Sequence, residues 1–244
     1  MKKYPDGSAA LALARETSPP PIPHYLQAVY WWAYVHPRAV HVFEREWLVN
    51  LILWGNYRRL CDAVLHDYGN RLEGRSLQVA CAYGRLTPRL VECVAPDGML
   101  DVIDILPVQL DNLKRKLPRD GRVRLDCMDA SALEYEDAQF ERALLFFLLH
   151  EQPREVREKT LAEALRVIRP GGTLTIVDYA KPGWFNPMRY IMTPILAWLE
   201  PFARDLWRED VTAWLPHDTK AVLIGERRFF GGLYQMLTFR VEDD

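Results

Sequence analysis

Cysteine is scarce in this chain, and its placement is uninformative as a framework. Cys61, Cys81, Cys93 and Cys127 have no paired metal-ligand spacing and stand among apolar neighbours, which argues against a structural zinc site or disulfide and for reduced thiols in a cytoplasmic protein. Long hydrophobic runs are also missing. The longest, near residues 48–54 and 190–199, fall short of the roughly 20 residues that span a bilayer, so any membrane association is expected to be peripheral. Neither sign of charge dominates: 31 Lys and Arg against 33 Asp and Glu leave a net charge of -2, which gives no electrostatic reason to expect nucleic acid. No internal repeat is present, and the only low-complexity tract is a proline run. An export signal is not expected, because the apolar patch after Lys2-Lys3 is short and Asp6 interrupts the approach to it.

What is present is a globular composition, 49% hydrophobic and 26% charged, in 244 residues, enough for one large domain with a substantial core. Residues 1–24 read as a flexible arm ending in Pro19-Pro20-Pro21-Ile22-Pro23, which cannot continue a helix. Residues 25–70 read as a helical extension of two helices, broken at His36-Pro37 because the residue before proline avoids the helical region. From residue 71 to 244 short apolar runs alternate with helical patterns. Strands are expected at 76–82, 99–104, 122–127, 141–147 and 173–178, with helices at 87–95, 107–116 and 154–168, the signature of an α/β protein with a doubly wound parallel sheet. An aromatic insertion follows at 184–214. Two late apolar runs, 220–230 and 233–241, flank Gly231-Gly232 and predict a hairpin.

The first strand and turn, Leu77-Gln78-Val79-Ala80-Cys81-Ala82-Tyr83-Gly84, stand where a methyltransferase carries acidic-x-Gly-x-Gly-x-Gly. Gly84 alone survives. Alanine at 80 and 82 is the smallest replacement for glycines that let the backbone approach a ligand. Asp104 closes the second strand, where a carboxylate can accept both ribose hydroxyls, and Asp129 follows the third, where it can accept the exocyclic amine of adenine. Either aspartate could equally cap the helix after it. Order and spacing together favour S-adenosylmethionine over a nicotinamide cofactor, whose fingerprint needs the missing glycines, and predict a Rossmann-like class I methyltransferase fold. The candidate cofactor contacts are Gln78, Ala80, Cys81, Tyr83, Gly84, Asp104, Ile105, Asp129, Ala130 and Phe146.

Tyr30-Trp31-Trp32-Ala33-Tyr34-Val35-His36-Pro37, the stretch from Phe43-Glu44-Arg45-Glu46-Trp47 through Leu53-Trp54-Gly55-Asn56-Tyr57, and Val79-Ala80-Cys81-Ala82-Tyr83-Gly84 resemble the rhodoquinone biosynthesis protein family over most of residues 23–190. That resemblance implies conversion of ubiquinone to rhodoquinone, in which an amino group replaces a ring methoxy group. It further implies S-adenosylmethionine as amino donor and a divalent metal, manganese. The strand ends offer His150, Glu151 and Asp178 as ligands of suitable type, although His150-Glu151 could be a helix-entry pair and Asp178 a strand terminator. His150, Glu151 and Tyr83 are the candidate catalytic residues, and His36 is either a general base or a polar group at the break.

Gln78 stands where an acid usually helps to hold the methionine ammonium. Without that charge the amine pKa should fall and the free amine could act as nucleophile. The alternative is that Gln78 is a hydrogen-bonding filler. The arginines and aromatics of 184–214 suit a bilayer interface as well as a core, which would place the protein on the inner face of the cytoplasmic membrane. An ordinary quinone methyltransferase and a noncatalytic S-adenosylmethionine-binding module of a quinone-synthesis complex remain alternative readings.

Overall fold

The computed structural model describes residues 19–30, 42–118 and 121–242. The first 18 residues of the expected arm, and Trp31, Trp32, Tyr34, His36 and Pro37 of the aromatic motif, lie outside the described residues. Among the described residues three helices precede the sheet, where two were expected: α1 (His24–Val29), α2 (Glu46–Ile52) and α3 (Tyr57–Tyr68). The division between α2 and α3 falls at Trp54-Gly55, both with positive φ, which the continuous aromatic pattern concealed.

The sheet then builds in alternation: β1 (Arg75–Val79), α4 (Leu86–Cys93), β2 (Met99–Asp104), α5 (Pro107–Lys114), β3 (Val123–Cys127), β4 (Phe140–Phe146), α6 (Arg154–Arg166) and β5 (Ile168–Tyr179). The central strands are covered on both faces. Four of the five residues of β1 and five of the six in β2 are buried, as strands covered on both sides must be. Helix α5 starts on Pro107, whose missing N–H costs nothing in a first turn. Beyond β5 the insertion contributes α7 (Met188–Leu199), interrupted by Pro194, and two short turns of 3-10 helix. Strands β6 (Ala221–Phe229) and β7 (Tyr234–Val241) close the chain as the expected hairpin, with Gly231 and Gly232 both at positive φ in the turn.

The strand order is β3-β2-β1-β4-β5-β7-β6, parallel through β5, with β7 running antiparallel between β5 and β6. The order reverses between β1 and β4, which are direct neighbours with Val79 opposite Leu145. Crossovers leave these two strands in opposite directions, so a crevice opens beyond their carboxyl ends at Ala80 and Phe147. Strand β1 stops at Val79, earlier than the expected 82, because Ala80 turns out of the extended region at φ 72°.

Candidate functional site

The loop after β1 is held from beneath. Gln78 is fully buried; its Nε2 donates to the Ala80 carbonyl at 3.1 Å and its Oε1 accepts from the Thr87 hydroxyl at 3.0 Å. Gln78 therefore ties loop to helix from within and lines neither cavity described below, so its expected direct contact with a cofactor is corrected to support of the loop, with no charge at this position. Ala80, at a backbone angle that glycine adopts freely, carries a strain of about 1 kcal/mol.

Gly84 also serves the scaffold. Its φ of 81° and the Tyr57 hydroxyl, 2.5 Å from where a Cβ would stand, leave room for glycine only. That hydroxyl donates to the Tyr83 carbonyl and accepts from the N–H groups of Arg85 and Leu86, so a residue of α3 satisfies the orphan donors that begin α4. Glu44 straps the same loop from the other side, accepting from Gly84 N–H, Asn112 Nδ2 and Lys116 Nζ.

Two cavities meet above the crevice. The smaller is lined by Ala80, Cys81, Asp104, Ile105, Asp129, Ala130 and Phe146 from the expected set, together with Tyr25, Leu26, Gln109 and Gln152, which the sequence did not single out. Asp104 accepts from the N–H groups of Cys81 at 2.8 Å and Leu106 at 2.9 Å, acting as a turn-forming carboxylate as well as a wall of the cavity. Burial pushes its pKa up to about 6 against the pull of those donors. Asp129 Oδ1 holds the N–H and hydroxyl of Ser131, each at 2.8 Å.

The larger cavity, about 530 Å³, is mostly apolar and runs between α2 and α7, with Leu51, Ile52 and Trp54 on one wall and Met192, Ile195, Leu196 and Leu199 on the other. Cys81, Phe146, Phe147 and Glu151 line both cavities and so mark their junction. Tyr83 joins the larger cavity, its ring stacked on Phe43 at 6.2 Å and its hydroxyl accepting from Gln109 Nε2 at 2.7 Å. Phe147 sits at φ 54°, a strained conformation for an aromatic residue, with its ring against Phe146, His150, Tyr179 and Tyr234 at 5.2 to 5.8 Å.

His150 is the polar centre of this wall. Its Nδ1 lies 3.0 Å from Asp178 Oδ1 and its Nε2 lies 3.8 Å from Glu151 Oε1. Burial by itself lowers the imidazole pKa, but Asp178, Glu200 and Glu151 outweigh it and raise the value to about 9, so His150 is cationic at neutral pH. Asp178 is fully buried behind it, accepting from the N–H groups of His150 and Tyr179. The expected metal set is corrected on this point. The imidazole stands between the two carboxylates, with opposite nitrogens facing them, so His150, Glu151 and Asp178 do not converge on one point as ligands about 2 Å from an ion must. No group of three His, Cys, Asp or Glu side chains among the described residues has a metal-holding arrangement.

A wholly buried arginine fixes the segment. Arg157 donates to the carbonyls of Leu149 and Gln152, on either side of His150-Glu151, and to that of Phe202 in the insertion, while its guanidinium lies 4.2 Å over the Trp214 ring. The roles of Arg157 and Tyr57 were not legible in the sequence, because each acts on residues far along the chain that no local pattern encodes.

Residues 77–172, from β1 into β5, match a family profile described as a methyltransferase domain. The chain is 32% identical over 146 residues to the ubiquinone/menaquinone biosynthesis C-methyltransferase UbiE of Ectopseudomonas mendocina, covering 58% of this chain and 55% of that one. It is 30% identical over 135 residues to the demethylmenaquinone methyltransferase of Staphylococcus aureus, covering 55% of each. The chain thus spans about half the length of the curated relatives it matches. Among solved structures, the 1,6-didemethyltoxoflavin-N1-methyltransferase of Burkholderia thailandensis superimposes with a TM-score of 0.53 at 21% identity over 99% of both chains. The architecture is the Rossmann-like class I methyltransferase fold. Within that class, the two curated relatives named above are methyltransferases of ubiquinone/menaquinone biosynthesis and of demethylmenaquinone.

Proposed function

We propose that the protein binds S-adenosylmethionine in the crevice beyond β1, β2 and β4 and converts ubiquinone to rhodoquinone, with an amino group replacing a ring methoxy group. The observation that carries this reading is the altered end of β1. The glycine loop of a methyl donor site is replaced by a strained Ala80, and the residue in the acid position, Gln78, is uncharged and spent on Ala80 and Thr87. Bound in the smaller cavity, S-adenosylmethionine would supply the transferred nitrogen; without a carboxylate at residue 78 its amine is less favoured as the ammonium ion. Asp104 and Asp129 offer acceptors for ribose and adenine.

The larger cavity suits a quinone. Its walls match a ring and isoprenoid tail, and the His150 imidazolium supplies a hydrogen-bond donor for a ring oxygen that gains negative charge as the ring is attacked. Glu151, at the junction, faces both reactants. We place the protein on the inner face of the cytoplasmic membrane, because Trp47, Leu51 and Trp54 beside one wall and Tyr190, Ile191 and Trp198 beside the other are exposed. Among the described residues no helix is long and apolar enough to cross a membrane.

The second reading, methyl transfer to a quinone ring, is favoured by the curated relatives. One experiment separates the two. Purified protein is incubated with short-tail ubiquinone, manganese and S-adenosylmethionine labelled separately in its amino nitrogen and its methyl group, and the quinone is examined by mass spectrometry. The expected product is lighter by the difference between methoxy and amino and carries the nitrogen label. A heavier product bearing the methyl label identifies a methyltransferase, and an unconsumed donor identifies a binding module.

A further inference from the structure

Besides Glu151, one more carboxylate lines the larger cavity, and it belongs to the insertion. Glu200 follows the last turn of α7, its N–H bonded to the Leu196 carbonyl at 3.0 Å, and Pro201 prevents the helix from continuing past it. Its Oε2 is buried without a hydrogen-bond partner among the described residues. A buried acceptor with no hydrogen bond of good geometry is open to a donor that arrives with a ligand. Burial raises the carboxyl pKa, while His150 and the nearby Tyr30 hydroxyl pull it back and Asp178 adds to the rise. The placement is enforced: Arg157 clamps Phe202, two residues on, to the turn that carries His150 and Glu151.

We propose that Glu200 is a catalytic carboxyl of this cavity, accepting a proton from the nitrogen that attacks the ring and returning it to the methoxy group that leaves. The proposal rests on the amino-transfer reading. The amine lone pair forms the new C–N bond at the methoxy-bearing carbon while the ring oxygen takes up negative charge beside His150. The surplus N–H proton passes to Glu200. When the ring oxygen's electrons return, the C–O bond to methoxy breaks and the departing oxygen takes that proton as methanol, so the carboxylate is restored and no oxidant or reductant is consumed.

Glu200→Gln keeps size and shape but cannot carry the proton. With S-adenosylmethionine, short-tail ubiquinone and manganese, methanol release by this variant should fall at least about a hundredfold, with quinone affinity, read from tryptophan quenching, close to that of the parent. Glu200→Asp should recover part of the rate. A Gln variant that releases methanol as fast as the parent overturns the proposal. If the parent itself releases no methanol, the amino-transfer reading has failed, and Glu200 is then judged by binding alone. A buried acceptor should make the parent hold a short-tail hydroquinone about tenfold more tightly than its dimethyl ether, a preference that Glu200→Leu abolishes. Equal affinity of the parent for both compounds overturns the role in that case.

Discussion

The Nδ1 of His150 lies 3.0 Å from Oδ1 of Asp178, and both side chains are buried, so a charged pair sits at the edge of an apolar cavity. The pairing links stability to pH. The folded-state pKa of about 9 lies above the ordinary value of 6.5. The contribution is therefore complete below about pH 6.5 and is lost as pH rises through 9, by roughly 3 kcal/mol if the whole shift is realised. Urea denaturation of the parent and of His150→Gln at pH 6 and pH 10 should show a stability gap that is large at pH 6 and small at pH 10. A gap that does not change with pH would mean the imidazole is not charged in the fold.

Ala80→Gly should stabilise the protein by up to about 1 kcal/mol, since glycine takes φ 72° without strain. Gly84→Ala should do the reverse, its Cβ meeting the Tyr57 hydroxyl. Denaturant midpoints measure both, and an Ala80→Gly variant less stable than the parent would show that no strain is stored there.

Asp104→Asn should weaken binding of S-adenosylhomocysteine by about tenfold or more, the cost of losing a charged acceptor. Because burial lifts its pKa to about 6, affinity in the parent should also rise from pH 5 to pH 7 as the carboxylate ionises, and the variant should not follow. Isothermal titration calorimetry at the two pH values tests this; parental affinity in the folded variant would leave Asp104 a turn-forming residue only.

Arg157→Met should cost about 3 kcal/mol or more, because three carbonyls lose a buried donor at once and the Trp214 ring loses its cation. Thermal unfolding reads the loss. A variant of parental stability would mean that the insertion and the His150 turn are held together by packing alone.

Trp198→Ser should leave the fold intact and reduce co-sedimentation with phosphatidylglycerol vesicles, since the ring is 84% exposed on α7. Trp214→Ser, at a position only 2% exposed, should unfold the protein instead. Unchanged vesicle binding by the Trp198 variant would remove this face from the membrane reading. The pair shows why the insertion was ambiguous in sequence: Trp184, Phe185, Tyr190 and Trp198 are exposed, whereas Phe202 is half-buried against Tyr25 and Trp214 is core.

The alternation of apolar runs determined the sheet, because a strand covered on both faces is mostly apolar and the turns between carry their own signals; the five parallel strands and the late hairpin appear in the expected order, with β1 ending three residues early and β5 beginning five residues early, at Ile168. Local spacing also placed Asp104 and Asp129 at strand ends, since a residue that closes a strand is legible from the strand. Tertiary structure alone decided what each polar group faces. Gln78 turned inward to Ala80 and Thr87, Asp178 went behind His150, and Glu200, in a segment with no motif, came up beside the same imidazole. A side chain's partners come from segments up to tens of residues away and are set by how helices pack on the sheet, which no local period records.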